Sequence, residues 1–172
     1  VRGAVVEPAG GDQAVERTDK RCAASGTVAG PFQFGPGVAP DVAQRYVFER
    51  TAPWLGPTPN YHDSVGEGKK WLLKHVPFYA KWYRFWLFWM LTDGIYEFVK
   101  ADPAWNKRKD SVGEQNDTLR QLLTDYTLGQ LEGRPDLQAA AVPNYPPGGK
   151  RSVRDNGVWL DALKRGNVET VT

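Results

Sequence analysis

Tyr46-Val47-Phe48-Glu49-Arg50-Thr51 is the stretch on which the fold turns. Tyr, Val and Phe suit the pleated, half-buried surface of a sheet. Thr51 to Pro59 follows with three prolines and a glycine, so the pattern predicts a short buried strand running into an extended loop. About 20 residues upstream, the usual distance in a dinucleotide fold, stands Gly26-Thr27-Val28-Ala29-Gly30-Pro31. Such a fold needs one glycine for the tight strand-to-helix turn, a second for close approach to the pyrophosphate and a small third residue for packing. Gly26 holds the first position, whereas Val28 and Pro31 hold the others. Gly26, Thr27 and Ala29 are the candidate contacts to a dinucleotide; with only the first glycine in place, a plain Gly-rich turn is the stronger reading of this stretch alone.

The strand's end is where such a fold reads the adenosine ribose. Arg50 and Thr51 offer a guanidinium fork and a hydroxyl, which suit a 2′-phosphate. Glu49 argues the other way, since an acid there can select a free 2′-hydroxyl, and a solvated charge pair closing the strand is a third reading. A second cationic loop, Pro143-Asn144-Tyr145-Pro146-Pro147-Gly148-Gly149-Lys150-Arg151, sets paired cations on a rigid turn. These can face an anion or be a surface pair.

Gly68 to Val99 has helical spacing: Trp71, Leu72, His75 and Tyr79, then Tyr83, Trp86, Leu87 and Met90, with Pro77 kinking or dividing it. Asn116 or Asp117 is the expected cap of a helix striped by Leu119, Leu122, Leu123 and Tyr126. Asp155 or Asn156 should cap a last helix that turns Trp159, Leu160 and Leu163 inward and stops at Gly166, before a strand at 167–171. The predicted class is α/β: a partial Rossmann-like dinucleotide-binding domain with a helical insertion, which the resemblance described below makes an NADP-binding one. Residues 1–21 form a poorly structured segment, 22–60 and 141–172 the two parts of the domain, and 61–140 the insertion.

Composition narrows the function. The chain has 172 residues and a formal charge of +2, without the basic stripe that nucleic-acid binding needs. Lys74, Lys81 and Arg84 interrupt the aromatic run, leaving no apolar stretch near the roughly 20 residues of a membrane span. The single cysteine, Cys22, excludes an internal disulfide and fits the cytoplasm. His62 and His75 have no acidic or cysteine cluster at ligand spacing, so no metal site is expected. The start Val1-Arg2-Gly3-Ala4, without initiator methionine or apolar signal core, reads as that of a fragment.

Several segments together resemble a known family. Phe32-Gln33-Phe34, Val38-Ala39-Pro40-Asp41-Val42-Ala43, Val47-Phe48-Glu49-Arg50-Thr51-Ala52-Pro53-Trp54, the Tyr145 to Arg151 loop, Asp155-Asn156-Gly157 and Arg165-Gly166-Asn167-Val168 are similar to the NADP domain of FAD- and NADPH-dependent Baeyer–Villiger monooxygenases. The segment from Asn60-Tyr61-His62-Asp63 through Trp71 to Trp89 most resembles the 4-hydroxyacetophenone monooxygenase branch. The resemblance covers about Lys20 to Thr172. It implies that Arg50, Thr51 and Lys150 hold the 2′-phosphate of NADP(H) and that Gln33 lies beside the nicotinamide half. Arg151 would be catalytic, stabilising the anionic peroxyflavin that attacks a ketone carbonyl. FAD would be bound mostly outside this chain, and the partners would be O2 and a small ketone, aldehyde or aromatic substrate.

The departures are Val28 and Pro31 in the phosphate turn, and a segment Val1 to Arg21 that lacks the family's His- and Trp-containing fingerprint. The family's FAD-binding domain and C-terminal part also lie outside this sequence. A non-catalytic remnant that self-associates through its aromatic helices is the rival reading, and a Trp-rich membrane-surface module is a third.

Overall fold

In the computed structural model the structure describes residues 20–26, 29–61, 63–106 and 109–171. Strand β1 (Arg21–Ser25) leads through the Gly26 turn into helix α1 (Ala29–Val38), and β2 (Gln44–Phe48) follows a short 3-10 turn at Ala39–Asp41. β1 and β2 pair in parallel from Arg21 opposite Gln44 to Ser25 opposite Phe48. The last strand, β5 (Val168–Val171), pairs in parallel with the other edge of β2, giving the order β1-β2-β5. The architecture is mixed α/β with parallel sheets, as the sequence predicts.

Parallel strands need crossovers, and here they are helices. α1 is a poor helix by propensity, with Gly and Pro at five of its ten positions, Pro36 among them. Packing overrides propensity. Phe32 stacks on Trp159 at 4.9 Å, and a side chain at Gly35 would collide with the Arg45 guanidinium. That guanidinium is buried, donates to the Pro31 carbonyl at 3.4 Å and lies 5.8 Å from the rings of Phe34 and Trp159. Burial away from any described carboxylate lowers its pKa.

The loop after β2 contains β3 (Leu55–Pro57), which pairs in parallel with β4 (Val153–Asp155) far along the chain. Between them in sequence come α2 (Glu67–His75), α3 (Tyr79–Leu91), a 3-10 turn at Asp93–Ile95, α4 (Tyr96–Val99), α5 (Glu114–Gln130) and α6 (Pro135–Ala141). α7 (Val158–Leu163) then returns the chain to β5. Val47, Leu131 and Leu160 are fully buried at the centre of a core that also takes Phe32, Leu55, Leu137, Val153, Trp159 and Leu163. By contrast α2, α3 and α4 have no buried residue; Trp82 is 68% exposed and Phe78 67%. No helix among the described residues is long and apolar enough to cross a membrane.

Several expectations are met and others corrected. The chain breaks at Pro77: α2 ends before it, and Phe78 takes a left-handed φ of 61° ahead of α3. Trp159, Leu160 and Leu163 face inward, and Asp155 accepts the Trp159 amide at 3.3 Å, with Gly157 at φ 97° in the cap position. Asn116 and Asp117 do not cap α5, which begins at Glu114 behind Gly113. Both lie within its first turn, buried. Its buried side is Asn116, Leu123 and Thr127, and Leu122 is turned out to solvent. β1 starts inside the stretch expected to be unstructured, and β3 inside the expected loop.

Candidate functional site

The two cationic loops meet. Lys150 Nζ donates to Thr51 Oγ1 at 2.8 Å across 99 residues of chain and sits 4.5 Å from the Tyr145 ring centroid. Arg50 and Thr51 line a cavity of about 410 Å³ with Ala52, Asp136, Ala140 and Asn144. Arg134 grips Asp136 through two hydrogen bonds of 3.0 and 2.8 Å, which holds that carboxyl down at about 2. The acid in this cavity thus carries its own counter-charge, and Arg50 and Lys150 remain exposed and available to an anion.

Aromatic clamps fix this meeting. Trp54, buried, donates from Nε1 to the Tyr145 carbonyl at 2.9 Å, and the Tyr145 hydroxyl donates to the Ala52 carbonyl at 3.0 Å. Their rings meet edge-on at 6.3 Å. Burial pushes the Tyr145 phenol up, so it remains a neutral donor. From below, Asn116 Nδ2 donates to the carbonyls of Phe98 at 2.7 Å and Pro147 at 2.9 Å, while its Oδ1 accepts the Val112 amide at 3.1 Å. None of these three residues stands out as functional in the sequence, because each acts through a partner far along the chain.

The remaining expected residues fall elsewhere. Gly26 has φ +87°, donates its N–H to the Phe48 carbonyl at 2.7 Å and has open space where a Cβ would stand. Thr27, Val28 and His62 lie outside the described residues; Ala29 opens α1. Gln33, exposed, lines a second cavity of about 630 Å³ with Phe32, Tyr61, Ser152, Asp155 and Trp159. Arg151 stands between the two cavities in sequence, directly before Ser152. It is exposed, and its side chain has no hydrogen bond or ion pair among the described residues. The structure thus brings Arg50, Thr51 and Lys150 together and leaves Gln33 at a separate cavity.

Two motif residues prove structural. Asp155 is buried and receives the Tyr126 hydroxyl at 3.4 Å; burial raises the Asp155 carboxyl, and burial beside this acid pushes the Tyr126 phenol up to about 12. Asn167 Nδ2 donates to the carbonyls of Ala39 and Val42, both at 2.8 Å, tying the start of β5 to the turn before β2. His75 stacks on Trp71 at 5.0 Å, and no group of three His, Cys, Asp or Glu among the described residues could hold a metal.

No protein-family model matches the chain. It is 38% identical over 162 residues to an uncharacterized monooxygenase of Sinorhizobium fredii, covering 94% of this chain and 24% of that protein. It is 26% identical over 153 residues to a Baeyer-Villiger monooxygenase of Pseudomonas aeruginosa, covering 89% of this chain and 26% of that one. Among solved structures, OTEMO in complex with FAD and NADP superposes with a TM-score of 0.64 at 20% identity, over 95% of this chain and 35% of that one. An oxidized steroid monooxygenase bound to NADP gives 0.56 at 22% identity, over 91% and 34%. The curated relatives are thus monooxygenases, one of them a Baeyer-Villiger monooxygenase, and the chain spans about a quarter of the length of each.

Proposed function

We propose that this chain is the NADPH-binding portion of a flavin-dependent monooxygenase that inserts one oxygen atom from O2 into a ketone or aldehyde, or oxidises a nitrogen or sulfur atom. The observation that carries the reading is the Lys150–Thr51 hydrogen bond of 2.8 Å, which closes two distant cationic loops beside Arg50. A dianion at that place would receive Arg50's fork, Lys150's point charge and the Thr51 hydroxyl, a donor set suited to a 2′-phosphate. Gly26 itself, with open space where a Cβ would stand, supports close backbone approach by the rest of the dinucleotide.

When bound, NADPH and FAD supply the hydride and the oxygen activation. This chain's residues bind and orient. Arg50, Thr51 and Lys150 anchor the adenosine end, and Gln33 offers its carboxamide to the nicotinamide half. Arg151 offsets negative charge developing at a carbonyl oxygen through its guanidinium. The likeness of segment 60–89 to the 4-hydroxyacetophenone branch supports aryl ketones as the substrate class, and free Cys22 accords with a cytoplasmic location.

Titration of the chain with NADPH should saturate, with NADPH bound more tightly than NADH. In the flavin-loaded enzyme, Arg151→Ala should abolish oxygenation and leave flavin reduction by NADPH intact. Wild-type oxygenation in that variant would remove Arg151 from the reaction. A second reading, self-association through α2 and α3, is favoured by the exposure of every residue on α3 except Tyr79 and Tyr83. Sedimentation at rising concentration tests it: a monomer throughout excludes it.

A further inference from the structure

Side chains on a strand alternate between faces. Along β2 and just past its end, Arg45, Val47 and Glu49 are buried, while Phe48 is exposed and Tyr46 half-buried. Arg45 identifies the buried face, because its guanidinium reaches Pro31, Phe34 and Trp159, so α1 and α7 cover it. Glu49 shares that face at the strand's C-terminal end. α1 runs back against the strands, so that end lies by Gly26. The backbone agrees: the Gly26 amide donates to Phe48, the residue before Glu49.

Glu49 is only 7% exposed, and its carboxyl has no hydrogen bond or ion pair among the described residues. Neither Arg50 nor Lys150 neutralises it. No fully buried side-chain oxygen among the described residues lacks a partner, so this carboxyl keeps a solvent-reaching tip, while burial of the rest raises it to about 6. Ribose hydroxyls would satisfy it as donors, whereas a 2′-phosphate offers none and repels it.

We propose that Glu49 is a specificity-determining residue that accepts a hydrogen bond from the adenosine ribose and tempers the preference for a 2′-phosphate, so that NADH competes at this site. The proposal rests on the NADPH-site reading above and deepens it. Calorimetric titration of the chain with NADPH and with NADH, for wild type, Glu49→Gln and Lys150→Ala, tests both levels. Wild type should favour NADPH by less than about 30-fold, and Glu49→Gln should raise that ratio by about ten-fold or more. A ratio unchanged within about two-fold in a folded Glu49→Gln overturns the proposal. Wild type that binds neither nucleotide overturns the proposal together with the NADPH site. Lys150→Ala that binds NADPH like wild type overturns the role of Lys150 and leaves Glu49 to its own ratio. Should Glu49→Gln not fold, wild type is titrated with 2′-phospho-ADP-ribose and ADP-ribose instead. A preference above about 100-fold for the phosphorylated fragment then overturns the proposal, and a smaller one upholds it.

Discussion

The sheet body and the aromatic arm formed by α2 to α4 are both rich in large apolar side chains, yet only the body buries them. Val47 and Leu160 are sealed between the sheet and its helices, whereas Trp82, Phe85, Trp86, Phe88 and Trp89 all stand exposed on α3. Helical spacing is present in both regions. What differs is a partner surface: β2 meets α1 and α7 on one face, whereas α3 buries no residue and packs on α2 through contacts such as Lys69 Nζ over the Tyr83 ring at 4.2 Å. Periodicity therefore identifies the element and leaves open what covers it. The candidate site belongs wholly to the body, where packing can fix a distance between loops far apart in sequence.

The contrast can be broken first at its strongest point. Leu160→Ala should cost about 3 kcal/mol in urea unfolding, the usual cost of a cavity at a fully buried leucine. Asn116→Ala should cost about 2 kcal/mol, since it orphans the Phe98 and Pro147 carbonyls and the Val112 amide together. A loss below about 0.5 kcal/mol would show that the Pro147 loop does not depend on this amide.

Glu49 sharpens the contrast by pH. The folded chain holds its proton more tightly, at about 6 against 4.5, so its stabilising contribution is complete below 4.5 and lost as pH rises through about 6. Glu49→Gln should therefore gain about 2 kcal/mol over wild type at pH 8 relative to its difference at pH 4. A difference that does not change with pH would show that the carboxyl is not desolvated. At the small end, Trp82→Ala in the arm should shift stability by less than about 0.5 kcal/mol. A loss comparable to that of Leu160→Ala would mean that the arm is covered in solution.

The same contrast explains how much could be read from the sequence. Tyr46-Val47-Phe48 announces β2 because its residue types suit a sheet, and Trp159-Leu160-Leu163 announces α7 by its spacing. β1 is silent: Arg21-Cys22-Ala23-Ala24-Ser25 has no β-branched or aromatic residue, and its strand state comes from pairing with β2. α1 is masked by its glycines and prolines, which only the contacts of Phe32 and Gly35 make helical. Asn116 has the look of a cap, and its amide instead bridges three segments of backbone. For the site, Arg50, Thr51 and Lys150 were legible as candidates through resemblance, but a contact across 99 residues leaves no trace in spacing. The contacts of Trp54 with Tyr145 and the burial of Glu49 were invisible for the same reason.

Calorimetric titration of the chain with NADPH, comparing wild type with Lys150→Ala, tests the central claim most directly. The account predicts saturable binding that weakens about 10- to 100-fold when this charged donor is lost. Absence of saturable binding by wild type, or an unchanged Kd in Lys150→Ala, would contradict it.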